Sequence, residues 1–273
     1  MIDPEAVTDH YGRGSLTERL RGALAEAGLG EGILSPEQLA PLDQFHSRGL
    51  AATVDLAKAL SPGLGDTVLD IGSGLGPSRY LAATYGCTVC GIDLSPDYVE
   101  AATFLAQRAG LSAKVSYRCA NALALPFADG CFDVAWTQHV AMNIADRAAL
   151  YAEARRVLRP AGRLAVYDVV AGDIAPLIFP VPWSRRPETS FLLTADAMRG
   201  ALEAEGFEVT SWVDRTDDAI AWFADRQARQ AQAPTPLGVH LAMGPDFGPM
   251  SQNLALNLRE GRAAIVEAVL SRA

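Results

Sequence analysis

The chain has 273 residues, 49% of them hydrophobic and 20% charged, enough apolar material for one α/β domain with a cap or for two small domains. A formal net charge of −9 argues against nucleic acid as a partner, because phosphate backbones are held by clustered Lys and Arg. No stretch approaches the roughly 18 uncharged apolar residues of a membrane span, and Asp3, Glu5 and Asp9 stand where a leader would be basic, so the expected compartment is the cytoplasm.

Residues 1–60 read as a helical lid, with helical stretches near 15–28, 36–41 and 46–60. Two polar and aromatic runs within it suit a closing surface: His10-Tyr11, and Asp43-Gln44-Phe45-His46-Ser47-Arg48-Gly49. Residues 61–273 read as the core. Strand 67–71, helix 77–85, strand 87–92, helix 96–109, strands 114–118 and 131–136, helix 147–158 and strand 163–169 alternate as βαβ units do. Right-handed crossovers then give a doubly wound, mostly parallel α/β sheet. Ser95-Pro96 supplies an N-cap with proline at the first helical position, and Gly110 and Gly162 punctuate helix ends.

Residues 171–194, rich in proline and aromatics, are too long for an ordinary connection and are expected to be an insertion that caps a substrate. Helix 195–205, strand 207–214, a second helical or irregular insertion at 217–260 and a strand near 264–270 complete a sheet of seven. The pair Cys87 and Cys90 belongs to a strand, where a separation of three puts the thiols on opposite faces. With no second such pair or His pair nearby, all four cysteines are expected to be free thiols, and no metal site is expected.

The most informative segment is Val68-Leu-Asp70-Ile-Gly72-Ser-Gly74-Leu-Gly76. A strand ends in an acid, and three alternate glycines then let a ligand lie against the backbone. A dinucleotide fingerprint would place its third glycine at position 77, where Pro77 stands, which argues against NAD or FAD. Asp93 ends the second strand 17 residues beyond Gly76, across the crevice, where its carboxylate can accept two ribose hydroxyls.

Cys119-Ala-Asn121-Ala122 follows the third strand, Asp129-Gly-Cys-Phe-Asp133-Val leads into the fourth, and Leu158-Arg-Pro-Ala-Gly-Arg163 precedes the fifth. In this order the chain resembles the class I S-adenosylmethionine-dependent methyltransferases over about residues 60–170. The resemblance implies their Rossmann-like fold, S-adenosylmethionine as cofactor and S-adenosylhomocysteine as product. It assigns the methionine portion to Asp70, Gly72, Gly74 and Gly76, the ribose to Asp93 with Leu94, and the adenine to Asn121 with Ala122. Tyr11 would cover the cofactor and Gln138 would lie beside it. Asn121 stands where Asp is commoner, but its amide oxygen can still accept from the adenine amino group.

His139, at the end of the fourth strand, is the leading candidate to bind or deprotonate a substrate, with His46 as the second. Asp133 begins that strand and reads as structural; Asp168 and Asp173 alone do not make a metal site. Gln44-Phe45-His46, Gln138-His139 and Pro180-Val-Pro-Trp183 make the chain similar to bacterial small-molecule enzymes grouped with sarcosine and dimethylglycine N-methyltransferases. That similarity implies an N or O nucleophile on a small acceptor such as an amine, a sugar or another natural-product intermediate. The alternative is a cofactor-binding protein of the same fold that catalyses a different step, such as cyclisation. Trp183, Phe179, Phe191 and Trp222 are candidates to line the acceptor pocket; Arg185 and Arg186 either hold a carboxylate there or are solvated loop residues.

Overall fold

The structure, a computed structural model, describes residues 15–230 and 237–273. Its centre is a seven-stranded sheet in the order β3-β2-β1-β4-β5-β7-β6. The strands are β1 (Thr67–Ile71), β2 (Thr88–Asp93), β3 (Val115–Cys119), β4 (Phe132–Gln138), β5 (Leu158–Ala171), β6 (Phe207–Asp214) and β7 (Ala263–Arg272). The first five run parallel; β7 is inserted antiparallel between β5 and β6. The sheet is therefore mixed and mostly parallel, as its αβ alternation predicts. β5 is longer than the expected 163–169 because Leu158 already pairs with Phe132, across a register shift in β4.

Apolar runs make the central strands, since both sheet faces are covered. One face packs Val68, Val134, Trp136 and Tyr167 with helix α3 (Leu50–Leu60) and helix α4 (Ser78–Tyr85). The other packs Leu69, Ile71, Ala135 and Val166 under α6 (Arg147–Val157) and α7 (Ala195–Ala204). Cys87 lies in the first layer and Cys90 against the second, the opposite-face placement their spacing predicts, and all four cysteines are free. Burial pushes the Cys87 thiol up to about 11, so it is a packing residue.

The N-terminal segment divides in two. Helices α1 (Leu16–Glu26) and α2 (Pro36–Asp43) form a third cluster with α5 (Pro96–Arg108), through Leu20, Leu24 and Leu39 against Tyr98 and Leu105. Ser15 caps α1, a Ser35–Gln38 capping box starts α2, and Ser95 caps α5 ahead of Pro96. α3, within the expected 1–60 lid, is instead a layer helix of the core. The part over the crevice is the loop 43–49.

The described parts of both expected insertions meet at one feature. Between β6 and β7 the chain forms α8 (Thr216–Gln230), α9 (His240–Met243) and α10 (Phe247–Arg259). Asn257 on α10, fully buried, accepts from Ile178 N at 2.8 Å and donates to Ile178 O at 2.9 Å; Asn253 donates to Pro180 O at 2.9 Å. The 171–194 insertion is thereby fastened to the 217–260 insertion. No helix among the described residues is long and apolar enough to cross a membrane.

Candidate active site

β1 and β4 are neighbours whose onward connections leave toward opposite edges of the sheet, which opens a crevice at their carboxyl ends. The glycine turn lies there. Gly72 has φ +68°, and a Cβ on it would come within 2.5 Å of the Val140 side chain; a Cβ on Gly76 would lie 2.7 Å from Ser73 O. These two glycines let the turn close. Gly74 differs: its φ is +49°, and the nearest neighbour of an added Cβ is the Phe45 ring at 3.8 Å. Its backbone is the part of the turn against which a ligand can lie.

The turn is tied to β2 by Ser73 N donating to Ile92 O at 2.8 Å. Asp93 accepts from Gly74 N through one oxygen at 3.0 Å and from Ser95 N through the other at 2.9 Å. Burial raises its pKa, against those two backbone donors. Asp70 is buried behind the turn and accepts the Ser78 hydroxyl; burial, with the Asp93 charge adding to it, pushes Asp70 up to about 7. Its visible work is to brace the turn onto α4. Leu94 and Asn121 are exposed and Ala122 half-buried. Asn121 Oδ1 already accepts from Leu123 N at 2.9 Å, which leaves the amide nitrogen as the freer group on this side chain. Tyr11 lies outside the described residues.

Loop 43–49 is locked down. Arg79 Nη2 meets Asp43 Oδ2 at 2.6 Å, with both side chains almost fully buried, and Arg79 also donates to Leu75 O and to Tyr117 OH. The loop is therefore joined to the glycine turn through Leu75, and Phe45 is held over Gly74.

At the end of β4, His139 adopts φ +53°. A non-glycine residue in that region is strained, and such strain clusters at functional sites. The backbone is held by His139 N donating to Tyr167 O at 2.8 Å, and by Ala141 N donating to buried Asp168 at 2.9 Å. Burial pushes Asp168 up to about 6, and its two backbone donors make it a turn brace. Ser47 Oγ stands 3.3 Å from His139 Nε2 and 3.2 Å from Tyr167 OH, and the His139 and Tyr167 rings lie parallel within 9°.

His46 is arranged differently. Its Nε2 is 3.0 Å from Gly49 O, so it carries its proton there and donates to a carbonyl. Beside it, Thr53 donates to Gln44 Oε1 at 2.7 Å and lies 3.2 Å from Gln138 Oε1, which also accepts from Trp136 Nε1 at 3.1 Å. Gln138 Nε2 is buried with no partner among the described residues. Burial lowers His46 to about 4 and His139 well below its ordinary value, so both are neutral at pH 7.

The unfolded chain takes up a proton below about pH 6.5 that folded His46 refuses until about pH 4, so this contribution to stability is lost as pH falls through that window. The loss is at most about 3 kcal/mol. Asp43, Asp70 and Asp168 act oppositely, since their folded pKa values are raised. In urea unfolding at pH 4.5, 5.5 and 6.5, His46→Gln is therefore expected to lose less stability on acidification than the wild type; parallel profiles would refute this.

A narrow pocket, open to solvent at one side, adjoins His139. Phe45, His46 and Ser47 line it from the loop, Pro182 from the first insertion, and Trp222, Phe223, Arg226, Phe247 and Leu254 from the second. Of the four expected aromatics only Trp222 lines it. Trp183 donates to Ser190 Oγ at 2.9 Å instead, and Phe191 is exposed. Arg185 pairs with Asp246 at 2.7 Å at the surface, as a solvated loop residue would. The cation in the wall is Arg226, whose i, i+4 spacing from Trp222 was its only sequence signal. Asp133, at the opposite end of β4, accepts from Thr67 and pairs with Arg159, which holds its carboxyl down at about 2 against a burial effect that raises it; it is structural. Among the described residues no group of three or more His, Cys, Asp or Glu is placed to hold a metal ion.

Residues 69–166 match the family described as a methyltransferase domain. The chain is 38% identical over 130 residues to the methyltransferase GfsG of Streptomyces halstedii, covering 47% of each protein. It is 31% identical over 188 residues to the O-methyltransferase resE of Aspergillus sclerotiorum, covering 64% of this chain and 68% of that one. In fold it is similar to the 4+2 cyclase SpnF, with a TM-score of 0.68 and 22% identity over 89% of this chain and 99% of that one. The chain thus spans about half the length of the first relative and two thirds of the second.

Proposed function

The chain belongs to the class I S-adenosylmethionine-dependent methyltransferases, and on that premise we propose that it methylates an oxygen or nitrogen nucleophile of a small molecule. The observation that carries this reading is the position of Phe45, whose ring lies over Gly74 on one side and forms part of the cavity wall on the other. A ligand on the glycine turn and a molecule in the cavity would meet beside it.

S-adenosylmethionine supplies a methyl group on a sulfonium, which a nucleophile displaces in line. The residues fit this cofactor: Gly74 presents bare backbone whose one near side-chain neighbour among the described residues is the Phe45 ring, and Asp93 has acceptor capacity beyond its two backbone donors. In this reading Asp70, Gly72 and Gly76 shape the turn, Asp93 with Leu94 holds the ribose, and Asn121 with Ala122 flanks the adenine. Gln138, whose amide nitrogen has no partner among the described residues, is proposed to lie beside the cofactor. The chain's own work is to align the nucleophile and exclude water, which the two fastened insertions are placed to do.

His139 is the proposed base. It is neutral, it borders the cavity, and Ser47 orients its ring. His46, with Nε2 committed to Gly49, is proposed to position the loop. His139→Ala is expected to lower kcat by about 10²–10³-fold at pH 7; unchanged turnover at saturating acceptor across pH 6–9 would remove the assignment. Four free cysteines fit the reducing cytoplasm as the setting. The deciding experiment is incubation with methyl-labelled S-adenosylmethionine and candidate acceptors. Label in the product is expected, whereas product formed without label would favour a cyclisation or similar step on the same fold.

A further inference from the structure

Among the described residues the cavity lining contains no carboxylate, and burial keeps both of its histidines neutral. In a protein of formal net charge −9 the wall therefore carries a single formal charge, the Arg226 cation. Several other buried or half-buried arginines sit on carboxylates, as Arg48 does on Asp55 at 2.5 Å, Arg79 on Asp43 at 2.6 Å and Arg215 on Glu267 at 2.9 Å, and buried Arg147 donates to Phe191 O at 2.7 Å. Arg226 forms no ion pair with a described residue. Its guanidinium lies 5.2 Å from the Trp222 ring centroid and 5.7 Å from that of Phe247. Burial lowers its pKa, with no anion to offset the effect.

We propose that Arg226 recognises an anionic group, a carboxylate or phosphate, on the acceptor; this rests on the transferase reading above and names its substrate class. A guanidinium placed by two aromatic rings keeps its N–H fork pre-organised, and its paired hydrogen bonds to an oxyanion are charge-assisted. Phe45, Phe223 and Leu254 add apolar surface to the wall that Arg226 and His139 share. The acceptor is then an amphipathic acid, with its nucleophile at the His139 end and its charge at the Arg226 end. The acidic surface repels such an acid at long range, so the subsite acts on selectivity rather than on encounter rate. The competing role for Arg226 is a cation–π brace between α8 and α10, with no ligand involved.

The test is calorimetric titration of the protein saturated with S-adenosylhomocysteine, using cinnamate, methyl cinnamate and phenyl phosphate. The wild type is expected to bind at least one acid ten times more tightly than the ester, about 1.4 kcal/mol. The stronger acid identifies the carboxylate or the phosphate. Arg226→Gln is expected to abolish that margin and Arg226→Lys to keep part of it. No margin in the wild type, or a margin that survives in Arg226→Gln, overturns the proposal; so does a variant that loses thermal stability while keeping the margin, the signature of a brace. Titration of S-adenosylhomocysteine alone separates the two readings. If the wild type fails to bind it, the cofactor reading falls, while the acid margin is still measured on the free protein.

Discussion

Asp43→Ala is expected to lower the free energy of unfolding by about 3–5 kcal/mol, a large part of what holds a domain together. The Arg79 guanidinium would remain in place, 1% exposed, with its counter-charge gone and only Leu75 O, Tyr117 OH and a long bond to Ala102 O as acceptors. Removing one partner of a buried pair is far more damaging than removing both. Asp43→Leu combined with Arg79→Met should therefore recover much of the loss. Asp133→Ala is the comparison: its partner Arg159 is 45% exposed, so the pair contributes about 1 kcal/mol or less, and the lost bonds from Thr67 add about 1 kcal/mol that water partly makes good. Urea midpoints and slopes at pH 7 measure all three. A loss for Asp43→Ala no larger than that for Asp133→Ala would show that the pair does not anchor the loop.

Asp93→Ala is expected to weaken S-adenosylhomocysteine binding by about 10²–10³-fold, because two charge-assisted hydrogen bonds to a diol would be lost at about 1.5–3 kcal/mol each, partly offset by water. The change also strips Gly74 N and Ser95 N of their acceptor, so some of the effect passes through the turn. Asp93→Asn separates the two contributions. It keeps one side-chain oxygen as an acceptor, and its affinity should fall between those of the wild type and Asp93→Ala. Calorimetry gives the affinities and circular dichroism checks the fold. Wild-type affinity in Asp93→Ala would end the ribose assignment.

What the sequence makes legible is local. β1 and β6 have their expected bounds, and Ser95-Pro96 starts its helix where expected, because strand runs and caps are decided by adjacent residues. The three glycines and Asp93 meet because a βαβ unit brings consecutive strand ends together. Pairings across long stretches of chain leave no such mark. Asp43 finds Arg79 36 positions away, and Ser47 finds Tyr167 120 positions away. Loop 43–49 reads as a closing surface, but its buried tether is invisible in its composition. Among the arginines, the i, i+4 spacing from Trp222 is the one local mark of Arg226, and nothing local indicates that Arg185 is satisfied by Asp246. α3 reads as lid because its amphipathic pattern is the same whether it packs on a sheet or over a crevice.

The two asparagines on α10 have a consequence for how this scaffold diversifies. Asn253 and Asn257 join loops that arise from different strands into one mechanical part, while the glycine turn is anchored to the other half of the sheet through Asp93, Ser73 and the Asp43–Arg79 pair. A change that moves one loop is thus expected to move the other, while the turn keeps its own anchors and meets both loops through Phe45 alone among its named tethers.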